Sequence, residues 1–136
     1  ESFSCQPSMA TIGASLSRIE PGRVDISAPF ADHITQQYGF IHGGVVGAIA
    51  DNAAGYAANS LINSDDSVLT VEYKLTLLAP AKGERVEARA EVMRPGRTLT
   101  VVRSDVSAYD DGMEVLCATA VVTLIRMAGQ SDQRGG

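Results

Sequence analysis

The first quarter of the chain alternates between apolar and polar residues, which predicts a β-hairpin. The alternation extends over residues 12–28 and is interrupted by Glu20-Pro21-Gly22-Arg23, whose central Pro-Gly pair favours a type II turn. The inward-facing positions of the second strand would be Val24, Ile26 and Ala28. Residues 30–42 follow neither a helical nor a strand period, so we expect an ordered loop there.

Residues 43–62 carry the 3.6-residue period of one long amphipathic helix. Its apolar stripe would span about 120° of an ideal helix and consists of Val46, Ile49, Ala50, Ala53, Ala57 and Leu61. Polar side chains gather on another side, at Asn52, Tyr56, Asn59 and Asn63. The polar stretch 63–66 then indicates the loop that follows the helix.

The second half of the chain changes to a two-residue period and predicts four long strands. Their alternating stretches are residues 70–77, 86–92, 97–109 and 113–126, separated by turn signals at 80–83, 95–96 and 110–112. Strands of this length joined by tight turns indicate a long antiparallel meander. The whole order of elements predicts an α+β fold in which the helix lies along a curved antiparallel sheet. Because one helix leaves the other face and the edges of six strands uncovered, we expect an oligomer.

Length and composition are those of one globular domain. The chain has 136 residues, of which 45% are hydrophobic, and we assign a single domain, 1–136, with its core at about 12–126 and a loose polar tail at 128–136. Aromatic residues make up only 5%, whereas Ala and Gly supply much of the apolar fraction. Ten of the sixteen residues from Gly43 to Ala58 are Gly or Ala, so the predicted helix is thin.

The charge and the cysteines exclude several classes of partner. A net charge of −5 argues against nucleic acid or an anionic membrane as the main partner, and no apolar run is long enough to span a bilayer. Nine of the eleven Lys and Arg residues lie within 66–136, so an anionic ligand would meet the second half of the chain. Cys5 and Cys117 have no metal-ligand spacing and favour a reducing, cytoplasmic compartment.

The stretch Gln36 to Gly44 (QQYGFIHGG), followed by Asp51, is the densest candidate for chemistry. Two glycines at a helix start leave backbone N–H groups unshielded at the positive end of the dipole, which suits a carbonyl oxygen that gains charge. Taken alone, such a pair is more often only a tight loop-to-helix turn. Asp51 would stand on a smooth Gly/Ala face, although an ordinary exposed Asp fits the position too. His42 is either an acid/base or, as we favour, a residue that fixes the loop.

Three segments together resemble a known family. The string GFIHGGVVGAIADNAAGYAA (Gly39 to Ala58), with Asp51 nine residues after His42, is similar to the hot-dog-fold acyl-CoA thioesterases of the PaaI-like (phenylacetyl-CoA thioesterase) subgroup. Residues 73–84 (YKLTLLAPAKGE) and 94–106 (RPGRTLTVVRSDV) also resemble this subgroup. The resemblance implies a long helix wrapped by an antiparallel sheet. It also implies dimers, usually paired into tetramers, with active sites at the dimer interface.

The resemblance also implies roles for single residues. Asp51 matches the catalytic carboxylate, acting as nucleophile or as general base, and the Gly43 N–H matches the oxyanion donor. Gln36 matches an Asn or Gln that helps to place water or the thioester, and Thr70 matches a Ser or Thr that orients water. Pairing would bring Asp51 of one subunit against the loop and Gly43 of the other. The family's reaction needs no cofactor, since CoA is part of the substrate, and no metal is expected.

The remaining candidates concern substrate binding. Gly44 belongs to the same helix start, and Tyr38 and Phe40 would favour an aromatic or medium-chain acyl group, although core packing explains the aromatic residues as well. Lys82 and Arg97 are candidates for the CoA phosphates. Two other functions stay open: a hot-dog module that binds an acyl-CoA without cleaving it, and a hot-dog hydratase or dehydratase. The latter class uses a His–carboxylate pair, and neither His33 nor His42 has an obvious partner in sequence.

Overall fold

A computed structural model describes residues 2–130 and contains two α-helices and one six-stranded sheet in that part of the chain. The elements are α1 (Pro7–Ile12), β1 (Ser15–Glu20), β2 (Arg23–Pro29), α2 (Gly43–Asn59), β3 (Ser67–Leu77), β4 (Arg85–Arg94), β5 (Leu99–Asp110) and β6 (Met113–Met127). The α+β class and the antiparallel sheet with one long central helix are therefore confirmed. Most of the predicted loose tail, from residue 131 onward, lies outside the described residues.

The N-terminal region differs from the prediction at its start. The predicted hairpin is present as β1 and β2, and Val24, Ile26 and Ala28 are fully buried. However, Ile12 is the last residue of helix α1 rather than the first residue of a strand. Gly13 ends this helix with a left-handed φ of 80°, a conformation that glycine adopts without a steric penalty. A six-residue helix is too short to produce a recognisable period, which explains why alternation alone missed it.

Helix α2 begins at Gly43 as predicted and ends three residues before the predicted end. Most of its apolar stripe is fully buried against the sheet, but Leu61 lies beyond the helix and is 44% exposed. The Ser60 hydroxyl donates to the Ala57 carbonyl and accepts a hydrogen bond from the Gly22 N–H. Local hydrogen bonds of this kind compete with the helix and help to end it.

The sheet has the strand order β1-β2-β4-β5-β6-β3, and all its pairs are antiparallel. The predicted four-strand meander is therefore wrong in one place, because β3 pairs with β6 at the far edge and β2 pairs with β4. Alternation identifies the buried face of a strand but not its neighbour. The segment that connects β3 to β4 is hydrogen-bonded to other parts of the fold. The N–H groups of Leu78 and Ala79 donate to the Cys117 carbonyl, and the Ala81 carbonyl accepts from the Ile41 N–H.

Strand β3 is an edge strand with no fully buried residue. Several of its large apolar side chains are about half exposed, namely Leu69, Val71, Tyr73 and Leu77. Within residues 2–130 its only neighbour in the sheet is β6, so its outer edge is unpaired. An edge strand of this kind is a template for pairing with another chain.

Candidate functional site

The loop before α2 is fixed by its own hydrogen bonds. The backbone of Gln36 bonds to Phe40 and Gly39, and the Gln36 side-chain Oε1 accepts from the N–H groups of Tyr38 and Phe40. Since Oε1 is turned toward the loop backbone, the amide Nε2 is left as the free donor of this side chain. The Gln36 side chain thus shapes the loop and lines the same groove as Gly43.

The start of helix α2 separates the roles of the two glycines. His42 occupies the N-cap position, and its Nδ1 accepts a hydrogen bond of 2.8 Å from the Gly44 N–H. Because Nδ1 is an acceptor, the neutral ring carries its proton on Nε2. The Gly44 N–H is therefore occupied, whereas the Gly43 N–H has no acceptor anywhere among residues 2–130. This geometry supports the loop-fixing interpretation of His42 and leaves Gly43 as the available backbone donor.

Asp51 and Thr70 form the second part of the site. The Thr70 hydroxyl donates to Asp51 Oδ1 at 2.6 Å, which orients the carboxylate and leaves Oδ2 without a hydrogen bond to the described part of the chain. The contact depends on a β-bulge, because the register between β3 and β6 shifts between Thr70 and Glu72. By strict alternation Thr70 and Tyr73 would lie on opposite faces, yet both approach helix α2. The extra residue, Val71, therefore turns Thr70 toward Asp51.

The small residues of α2 admit the side chains of β3. A Cβ built on Gly43 would lie 2.9 Å from Leu77 Cδ1, and one built on Gly47 would lie 3.1 Å from Leu75 Cδ2. The thin helix face predicted around Asp51 is thus partly filled by this chain's own strand. Gly55 is different, because a Cβ there would meet only Leu124 Cδ2, at 3.9 Å.

The candidate residues divide between two grooves of one chain. The first, of about 490 Å³, contains Asp51 and Thr70 together with Asn52, Gly55 and Tyr56. The second, of about 340 Å³, contains Gln36, Phe40 and Gly43 and reaches the buried Cys117. Gly43 and Asp51 are eight residues apart on α2, a separation of about 12 Å along the helix axis. One chain therefore holds two half-sites rather than one assembled site.

The other predicted binding residues lie outside both grooves. Tyr38 is 75% exposed, and Lys82 follows Ala81, which lines the second groove. Arg97 is exposed in the turn between β4 and β5. Neither Lys82 nor Arg97 forms an ion pair within the described residues, a property that they share with Lys74, Arg85 and Arg94. Both cations are therefore free to meet an anionic group.

Sequence reasoning missed the N-terminal segment as part of the first groove. Gln6 and Asn52 exchange two amide hydrogen bonds, of 3.2 and 2.9 Å, and Gln6 also donates to the Tyr56 hydroxyl at 2.8 Å. The polar side of α2 that carries Asn52 and Tyr56 was visible in the sequence. Its partner was not, because Gln6 is 46 residues away from Asn52 along the chain.

Three further observations bear on the kind of site. Among residues 2–130, no three His, Cys, Asp or Glu side chains are grouped as metal ligands. The described helices also include none with the length and apolar character that a membrane crossing requires. His33 Nε2 bonds to the Thr11 carbonyl at 2.7 Å, and neither histidine contacts a carboxylate within this part of the chain.

Comparisons with known proteins agree with this architecture. The sequence model of the Thioesterase superfamily matches residues 38–115. A thioesterase family protein from Silicibacter pomeroyi has a crystal structure that superposes with a TM-score of 0.93 and 48% identity, over 94% of both chains. The PaaI protein of the E. coli phenylacetic acid degradation operon superposes with a TM-score of 0.84 over 95% of this chain and 90% of its own. At 17% identity that likeness shows the fold alone.

A curated relative supplies a named activity. The 1,4-dihydroxy-2-naphthoyl-CoA hydrolase of Listeria monocytogenes is 26% identical over 116 residues, which is 85% of this chain and 93% of that protein. The family model, the fold and the sequence motif thus all indicate the same family. The chain belongs to the Thioesterase superfamily, and its fold is the hot-dog fold of the PaaI-like thioesterases.

Proposed function

We propose that this protein hydrolyses acyl-CoA thioesters to a carboxylic acid and free CoA. The observation that carries the proposal is the presence on one helix of two groups: a Gly43 N–H with no acceptor among residues 2–130, and a carboxylate, Asp51, that accepts from Thr70. A thioester needs a donor for the oxygen that becomes negative and a base or nucleophile at the carbonyl carbon. The activity named for the Listeria relative supports CoA thioesters as the substrate class.

The proposed chemistry uses these groups directly. The Gly43 N–H donates to the thioester carbonyl oxygen, and Gln36 Nε2 positions the thioester or the attacking water. Asp51 either removes a proton from that water or attacks the carbonyl carbon itself. In the base route a C–O bond forms from water to the carbonyl carbon as the C–S bond breaks. In the nucleophilic route the C–O bond forms from Asp51, the C–S bond breaks, and water then cleaves the resulting mixed anhydride to the free acid and Asp51. In both routes the CoA thiolate is protonated. A single turnover in ¹⁸O-labelled water that places label in the Asp51 carboxyl group identifies the nucleophilic route, because water that cleaves the anhydride at the Asp51 carbon leaves its oxygen there.

The complete site is proposed to form between two copies of the chain. Donor and carboxylate lie about 12 Å apart along one helix, which is too far for both to act on one carbonyl group. The unpaired edge of β3, with its exposed Val71 and Tyr73, provides a surface on which a second copy would bury apolar area. A two-fold pair would place Asp51 of one copy against Gly43 of the other.

Mixing two inactive variants tests both the reaction and the shared site. Asp51→Asn removes the carboxylate, and Gly43→Pro removes the donor. If each site takes one residue from each copy, a 1:1 mixture of subunits re-forms one intact site per mixed dimer and recovers about a quarter of wild-type CoA release. If both residues act within one chain, no mixed dimer has an intact site and nothing is recovered. CoA release is followed with a thiol reagent, after unfolding and refolding the two variants together.

Two other hot-dog functions are separated by the same assay. A module that only binds acyl-CoA would show saturable binding without CoA release from any thioester. A hydratase or dehydratase would need a histidine paired with a carboxylate, and neither described histidine has one.

We further propose that Lys82 and Arg97 meet the CoA phosphates, since both lack an ion-pair partner within residues 2–130.

A further inference from the structure

The first groove has the character of an acyl site rather than a nucleotide site. Among the residues that line it, Asp51 is the only charged one, and the rest carry amide, hydroxyl or apolar groups. The phosphates of CoA would meet no cation there and would be repelled by the carboxylate. The groove begins at Asp51 and follows α2 to Asn59, so a thioester whose carbonyl lies at Asp51 would extend its acyl group along this helix.

Gly55 lines the first groove without contributing a side chain to it. It lies between Asp51 and Asn59 in the interior of α2, where glycine is less favourable than alanine. Packing within the chain does not require it, because an added Cβ would have a single neighbour, at the ordinary contact distance of 3.9 Å. The glycines at positions 43 and 47 do have close neighbours in β3. The fold therefore accounts for those two but not for Gly55.

The wall beside Gly55 is held in place by a network of hydrogen bonds. Gln6 joins Asn52 and Tyr56, and the Ser2 hydroxyl bonds to the same tyrosine oxygen at 2.9 Å. Phe3 adds an edge-to-face contact with the Tyr56 ring, with ring centroids 5.8 Å apart. A wall fixed by this many contacts cannot move aside at little cost, so the groove width depends on what the helix presents at position 55.

We infer that Gly55 is a specificity-determining residue that sets the width of the acyl group admitted beside Asp51. The inference rests on the proposed thioesterase function and extends it to a residue outside the reacting groups. Without a side chain at position 55 the groove accepts a broad, flat acyl group. With a side chain there, only a slender chain fits beside the fixed wall formed by Ser2, Gln6 and Tyr56.

The test compares a broad and a slender substrate on Gly55→Ala and Gly55→Leu. For phenylacetyl-CoA, kcat/KM should fall about tenfold in the alanine variant and at least 100-fold in the leucine variant, in line with the cost of misfit in apolar pockets. For butyryl-CoA, both variants should stay within about threefold of wild type. Both should melt at or above the wild-type temperature, because each replaces a helix glycine. Equal losses for the two substrates, no loss for either, or a wild type that hydrolyses only butyryl-CoA would overturn the inference.

Gly47→Ala is the matched control, since it makes the same change in the same helix on the side that faces Tyr73 and Leu75. Any effect there should be the same for both substrates. If the wild type releases CoA from neither of these thioesters nor from any other short, medium, long or aryl acyl-CoA, the proposed function fails, and Gly55 is then judged by binding. A loss of affinity in Gly55→Leu confined to phenylacetyl-CoA, measured by titration calorimetry, would support the inference. Equal changes, or no wild-type binding of either compound, would overturn it.

Discussion

Replacing Gly43 with proline removes one backbone N–H group at a helix position that tolerates proline. Gly43 is the first residue of α2, a position at which proline is favoured because its fixed φ suits the helix and its missing N–H is not needed there. The preceding residue, His42, already has φ −58° and ψ 136°, within the extended region that a residue before proline adopts. No acceptor for the Gly43 N–H exists in the described part of the chain, so folding loses no hydrogen bond.

The magnitude follows from the proposed role of that N–H as the oxyanion donor. Loss of one such donor costs about 10²–10³-fold in kcat, or roughly 2.7–4 kcal/mol of transition-state stabilisation. Proline also adds carbon atoms, and a Cβ at this position would lie 2.9 Å from Leu77 Cδ1, the end of a flexible side chain. Gly43→Ala introduces the same Cβ and keeps the N–H. The ratio of the two variants therefore isolates the donor.

The assay is steady-state CoA release by Gly43→Pro and Gly43→Ala, with circular dichroism melting as the check on folding. We expect the alanine variant to retain at least a tenth of wild-type kcat and the proline variant to fall about 100-fold or more below alanine. Both should melt within a few degrees of each other. A folded proline variant that turns over within threefold of the alanine variant would refute the assignment of Gly43 as the oxyanion donor.

Three other predictions concern groups that hold the site and the fold. Thr70→Val should lower kcat about tenfold, which is at the low end of the effect of losing a hydrogen bond to a carboxylate, because water reaches the Thr70–Asp51 bond. Thr70→Ser keeps the hydroxyl and should stay within threefold of wild type. Equal rates for the two variants would contradict the role of the hydroxyl. The Gly129 N–H and Arg126 lower the pKa of Asp66, so its contribution to stability is present above pH 4 and is lost as the pH falls through the folded-state pKa. Urea midpoints of Asp66→Asn and wild type should therefore differ at pH 7 and converge toward pH 2, and a constant gap would contradict the argument. Burial raises the pKa of the Cys117 thiol to about 11, so the thiol stabilises the fold below pH 9 and loses this contribution as the pH rises through 11. Cys117→Ala should show a shallower decline of stability over that range, and parallel curves would rule the effect out.

The sequence predicted the elements that have a clear period and missed those defined by contacts between distant segments. The buried stripe of α2 followed from its 3.6-residue period and the inward positions of β2 from alternation, because both elements bury one face. The pairing of β3 with β6 did not follow, since side-chain pattern determines a face but not a neighbour. Helix α1 was lost because one and a half turns carry too little pattern.

The same division applies to the candidate site. The backbone donor and the carboxylate were identified through local spacing and the family motif, and Thr70 through the motif alone. Its contact with Asp51 depends on the bulge at Val71, which regular alternation conceals. Gln6 and its bonds to Asn52 and Tyr56 gave no signal, because such contacts exist only once the chain has folded. The division of labour between Gly43 and Gly44 likewise depends on where the His42 ring lies.

The most direct test of the account is CoA release by Asp51→Asn across short, medium, long and aryl acyl-CoAs. Asn has nearly the shape of Asp and can still accept a hydrogen bond from the Thr70 hydroxyl through its amide oxygen, so the fold and substrate binding should persist. We predict that kcat falls roughly 10²–10⁴-fold for every thioester that the wild type cleaves, with melting temperature and acyl-CoA affinity close to wild type. A folded Asp51→Asn variant with near wild-type turnover on any of these thioesters would contradict the central claim.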